Sequence, residues 1–149
     1  MRKFDFRPAR LLRMREATVR AEQSILDAAR ARRAELEAEL EALKDSAANA
    51  GRAAKAETWV RPAELANIDS YTARINREIK EWTARVAAQN EAVRKQELVL
   101  VEARRNVRLL EILRDQRRAE WQAEADREAE RFTEDFIAAQ SARARREAE

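Results

Sequence analysis

Arginine and lysine, 31 in all, and 28 aspartates and glutamates are the side chains through which this 149-residue chain can act on another molecule. Histidine and cysteine are both absent. Their absence removes the usual zinc sites, the Ser-His and Cys-His nucleophile systems, thiol redox chemistry and any disulfide framework. Gly51 is the single glycine, so neither a phosphate-cradling loop nor a dinucleotide fingerprint can be written anywhere in the chain. No catalytic residue, cofactor or metal is expected, and the residues point to binding rather than to enzymatic work.

Charge and apolar surface remain, and both are unevenly distributed. Residues 1–15 hold six basic groups (Arg2, Lys3, Arg7, Arg10, Arg13, Arg15) against Asp5. Residues 104–118 hold six more (Arg104, Arg105, Arg108, Arg114, Arg117, Arg118) against Glu111 and Asp115. Residues 119–135 then carry seven carboxylates with only Arg127 and Arg131. A net charge of +3 is too small to imply nucleic acid, and no aromatic interleaving or recognition module is present, so no nucleic-acid partner is expected. Crowded cations favour a protein partner with an acidic surface, against the plainer reading of solvated arginine on exposed helix faces.

The apolar residues pose the same choice between seam packing and an exposed binding patch. Leu109, Leu110, Ile112 and Leu113 surround more than one helix face: the favoured reading makes all four core at the hairpin stem, and the alternative packs one row on the Phe4/Phe6/Leu11 end and leaves another available. Tyr71, Ile75 and Trp82 share one face with Glu78. Trp121, Phe132 and Phe136 fall on a section expected to have no helix beside it, where exposed aromatics imply a partner or self-association.

Long helices must position these groups. Charged residues make up 40%, and 32 alanines leave only 35 larger apolar side chains, a composition of the long-helix class rather than of a compact core. The fold class is all-α. From about Pro8 to Ala50 nothing breaks a helix, and Leu12, Val19, Leu26, Ala29, Leu36, Leu40, Leu43, Ala47 and Ala50 form one seam. Leu11, Met14, Ala21, Ile25 and Ala28 form a neighbouring row. The tract from Gly51 through Trp59, Val60 and Arg61 to Pro62 reads as a turn. From Ala63 to about Arg145 the seam Leu65, Ile68, Thr72, Ile75, Ile79, Trp82, Val86, Gln89, Val93, Gln96, Leu100, Ala103, Val107 and Leu110 keeps a three-four step, which implies a left-handed supercoil.

Two such helices predict an antiparallel coiled-coil hairpin forming one domain over 1–149, with the C-terminal helix longer and projecting. With the bend near Ala56, facing residue numbers sum to roughly 112, which sets Leu12 near Leu100 and leaves residues beyond about Arg105 unpaired. The paired section is then about 65 Å long, and the rest reaches up to about 55 Å further. No stretch approaches the roughly 20 apolar residues of a membrane span, and the first eight residues lack the apolar run of a secretory signal. A cytoplasmic location is expected.

Phe4-x-Phe6-x4-Leu11-Leu12-x-Met14-Arg15-Glu16, followed by a long Ala/Glu/Leu helix, resembles the opening of the flagellar FliJ family. Arg104-Arg105-x2-Arg108-Leu109-Leu110-Glu111-x-Leu113-x3-Arg117, then Trp121 and Glu128-x-Glu130, is similar to that family's C-terminal helix. The family's usual ending has an Asp-Glu pair after Glu-Gln; here Arg131 stands in the Gln place and the order is Glu134-Asp135.

The resemblance implies a non-enzymatic, cytoplasmic component of the flagellar type III export apparatus, similar to the central stalk of rotary ATPases. Such a stalk inserts in the hexameric export ATPase, promotes its assembly and activity, contacts the cytoplasmic domain of the export gate and handles export chaperones. Its place at the inner membrane is peripheral, through these partners. Arg10, Arg13, Arg104, Arg105, Arg108, Arg114, Arg117, Leu109, Leu113 and Trp121 would face the ATPase, and Tyr71, Ile75, Glu78 and Trp82 the gate. The competing readings are the stalk of a virulence-type secretion system, a structural coiled coil that homodimerises along the long helix, and a basic nucleic-acid binder.

Overall fold

The computed structural model describes residues 3–56, 59 and 61–147. Two helices account for nearly all of them: α1, Ala9–Ala56, and α2, Pro62–Glu147, which pack against each other as a helical hairpin. No strand occurs among the described residues.

The helix starts follow from local chemistry. The Ala9 N–H donates to the Phe6 carbonyl at 2.9 Å and the Leu12 N–H to the Pro8 carbonyl at 2.9 Å, so proline precedes the first donor that matters. At α2, Pro62 takes the first helical position, where its missing N–H costs nothing. The Glu64 carboxylate accepts from the Arg61 N–H at 3.1 Å, half of a capping box.

The first helix does not stop at Ala50, as the turn expected over 51–62 required, but continues through Gly51 to Ala56. A helical glycine costs only about 1 kcal/mol against alanine, and Ala53, Ala54 and Ala56 around it are the strongest helix formers. Val60, placed in the expected turn, and Arg2, counted in the N-terminal cluster, lie outside the described residues.

The chain divides into two compact units, Met1–Ala17 with Arg104–Glu149 (unit 1) and Thr18–Ala103 (unit 2). In unit 2, Leu26, Val93 and Leu100 are at most 4% exposed, with Val19 and Ala29 packed on them. Leu36, Leu40 and Ile75 are buried along the same seam. Two polar locks cross it. The Gln89 amide donates to the Ala29 carbonyl at 2.9 Å and the Gln96 amide to the Glu22 carbonyl at 3.2 Å, with the Glu22 carboxylate also accepting from Gln96.

Each locked pair sums to 118, so the register is about one heptad away from the expected 112. The longer α1 moves the bend towards Trp59 and lengthens the pairing. The seam positions themselves are as the sequence spacing implies, except that Leu65 and Thr72 are exposed.

α2 changes its repeat along its length. Ile75, Trp82, Gln89, Gln96 and Ala103 recur every seven residues, as do Ile79, Val86, Val93, Leu100 and Val107, and all ten are buried or half-buried. In unit 1 the spacing becomes eleven: Leu110, Trp121 and Phe132, and Arg114, Ala125 and Phe136. A seven-residue repeat drives left-handed winding, whereas an eleven-residue repeat, about 3.67 residues per turn, drives right-handed winding.

Candidate interaction surface

Unit 1 is built where the chain's first residues meet the far part of α2. The Phe4 and Trp121 rings stack at a tilt with centroids 5.9 Å apart. Phe4, Asp5, Phe6, Arg7 and Pro8 face Leu113, Arg117, Glu120, Trp121 and Glu124 across an open cleft. Leu12 and Ala125 are buried. The section beyond Arg105 is therefore not unpaired: Trp121 has an aromatic partner and Leu110 is half-buried, because the N-terminal segment and the longer register carry packing as far as Ala125.

Beyond Ala125 every residue to 146 is exposed, including Phe132 at 75% and Phe136 at 55%. The Leu109 cluster is not all core, as the favoured reading had it: Leu109, Ile112 and Leu113 are exposed, while Leu110 turns inward, because a second helix can cover only one face. Leu11 and Met14 on α1 are exposed as well.

The arginines of this end are at the surface but are not all bare. Arg108 pairs with Glu111 at 3.2 Å, Arg114 with Asp115 at 3.0 Å and Arg117 with Glu120 at 3.1 Å. Arg104 and Arg105 also have partners. Exposed pairs of this kind contribute about 0–1 kcal/mol, so a partner's carboxylates can displace them at low cost. Among the described residues Arg10, Arg13 and Arg15 make no ion pair and are fully presented to solvent.

In unit 2, Tyr71, Ile75, Glu78 and Trp82 follow one face at four-three-four spacing, but they do not form one exposed patch. Ile75 is 6% exposed and belongs to the seam. Tyr71 and Trp82 are half-buried, each ring covered by an arginine three residues on: Arg74 at 5.4 Å from the Tyr71 centroid and Arg85 at 5.0 Å from that of Trp82. Glu78 accepts a 4.0 Å ion pair from Arg74. The Glu78 side chain keeps 44% of its surface exposed.

An exposed apolar run on α2 escaped the sequence reading: Leu98 at 71%, Val99 at 46% and Val101 at 61%. The signal was present in four consecutive large aliphatic residues, of which a two-helix seam can use only Leu100.

Among the described residues no cluster of acidic side chains could hold a metal ion, and no helix is long and apolar enough to cross a membrane. The fold is that of a helical-hairpin protein that presents apolar and charged side chains at its surface. The family model of the flagellar FliJ protein matches residues 5–147, and the chain belongs to that family. It is thereby a component of the flagellar export apparatus, a family of structural and export components. No match was found among curated proteins or among solved structures.

Proposed function

We propose that this protein is the stalk of the flagellar export ATPase, a non-enzymatic part that enters the hexamer with the unit 1 end and promotes assembly and activity. The observation that carries the reading is the composition of that end: unpaired Arg10 and Arg13, displaceable Arg108, Arg114 and Arg117, and exposed Leu109 and Leu113 on uninterrupted helix. A single hairpin in a six-fold ring touches only some subunits at once, and this asymmetry biases which subunit closes and hydrolyses. Mixing the purified protein with the export ATPase raises the hexamer fraction and the turnover rate, and charge reversal at Arg10, Arg13 and Arg108 abolishes both effects. An unchanged oligomer and rate with the wild-type protein overturn the reading.

Within the same proposal, the unit 2 face of Tyr71, Glu78 and Trp82 meets the cytoplasmic domain of the export gate, with Ile75 holding the face in place from beneath. Export chaperones are the third class of partner, and the protein works in the cytoplasm at the inner membrane without entering it. Pull-down of the gate domain by wild type but not by Trp82→Ala tests the gate contact. The arrangement of neighbouring genes separates a flagellar from a virulence-type apparatus.

A further inference from the structure

Two surfaces of unit 1 are complementary to each other. The α2 tail carries Ala125, Ala129, Phe132 and Phe136 on one stripe, with Glu128 and Asp135 along its edge. Residues 119–135 hold seven carboxylates against two arginines, a net of −5. The start of α1 carries exposed Leu11 and Met14, flanked by Arg10, Arg13 and Arg15. Over residues 3–15 five cations stand against Asp5, a net of +4. An apolar strip with acidic edges thus matches one with basic edges.

The tail cannot reach that base within its own chain. Phe132 lies eleven residues past Trp121, about 16 Å further along a continuous helix. From the Phe4–Trp121 contact α1 runs the opposite way, so Leu11 and Met14 recede from the tail as it extends. No glycine or proline between Ala63 and Glu147 lets α2 fold back.

We infer that a second copy of this chain covers the tail: the Phe132/Phe136 stripe of each protomer docks on the Leu11/Met14 base of the other, in a reciprocal two-fold dimer. Once the first tail is seated the second contact is intramolecular, so two small interfaces reinforce each other. This dimer is distinct from one formed along the whole of α2, because its contacts are confined to unit 1. It does not rest on the stalk reading. Where both hold, the two interactions compete, since the dimer occupies Arg10 and Arg13.

Light scattering and sedimentation of the purified chain alone test the inference. The expected result is a reversible rise from 17.3 kDa to twice that mass with concentration. Raising NaCl from about 50 to 500 mM weakens the dimer at least about tenfold, because the contact is edged by charge. Phe132→Ala with Phe136→Ala abolishes it while the far-ultraviolet dichroism stays unchanged, both side chains being exposed. Arg10→Glu with Arg13→Glu weakens it about tenfold or more, and so does Glu128→Arg with Asp135→Arg. Combining all four reversals in one chain restores it. A monomer at every concentration overturns the inference, as does a dimer indifferent to salt and to these substitutions, or one that the combined reversal fails to restore.

Discussion

Unit 2 and unit 1 use the same two helices for opposite purposes. Unit 2 spends its apolar residues inward: a heptad seam with Leu26, Val93 and Leu100 closed off, two glutamines bonded across to α1 carbonyls, and an Arg30–Glu97 pair at 2.7 Å between the helices. Among the described residues unit 1 has only Leu12 and Ala125 buried, and it directs Leu11, Met14, Leu109, Ile112, Phe132 and Phe136 outward. One region specifies a register, and the other presents what that register holds in place.

Substitutions can break the contrast, beginning with the largest effect. Leu26→Ala removes a side chain that is 2% exposed and destabilises the hairpin by about 2–5 kcal/mol in urea unfolding followed by dichroism at 222 nm. Trp121→Ala, half-buried against Phe4, costs about 1–2 kcal/mol. Hydrogen exchange localises that loss to residues 9–17 and 104–125 and leaves protection around Leu26 and Val93 as it was. Gly51→Ala stabilises by about 0.5–1 kcal/mol, because an added Cβ meets nothing within 4 Å and the glycine has no positive φ. Phe132→Ala changes stability by less than about 0.5 kcal/mol by the same unfolding curve, the mark of a side chain kept for something other than folding.

Replacing both glutamines sharpens the comparison instead. Gln89→Leu with Gln96→Leu leaves stability level or slightly raised, since a buried polar bond contributes only about 1 kcal/mol net. Yet disulfide trapping with introduced cysteines then captures a second pairing displaced by seven residues, because polar seam residues hold register rather than strength.

The same glutamines explain what the sequence concealed. Seam membership was legible in the three-four spacing, and α1 buries or half-buries each position from Leu12 to Ala50 that the spacing selects. The register was not legible, because a pattern with period seven looks identical after a slip of seven, and what breaks that degeneracy is a few residue-specific contacts: Gln96 with the Glu22 carboxylate, Arg30 with Glu97 and Phe4 with Trp121. The Gln89 and Gln96 bonds to the Ala29 and Glu22 carbonyls add nothing to that choice, since every residue offers a carbonyl. The end of α1 was misjudged for a related reason: Gly51 reads as a stop, but neighbouring alanines outweigh it. Of the candidate contact residues, Leu109 and Leu113 are exposed, which their spacing alone did not decide between seam and surface. Ile75 did not fit a surface role because its helical face is shared by seam and patch, and spacing alone cannot say which side of Tyr71 and Trp82 is covered.

The Phe4–Trp121 contact joins residues 117 positions apart. At about 5–20 residues per second of synthesis, Phe4 is made roughly 6–23 s before its partner. The middle of the chain, whose locked pairs are only 60 and 74 residues apart, can zip from the bend in that interval. The N-terminal aromatics therefore stay uncovered until the last fifth of translation, and the finished end closes only on a nearly complete chain. A truncated product stopping before Trp121 would carry Phe4 without the ring that packs on it, and so would be marked as incomplete by its own exposed N-terminus.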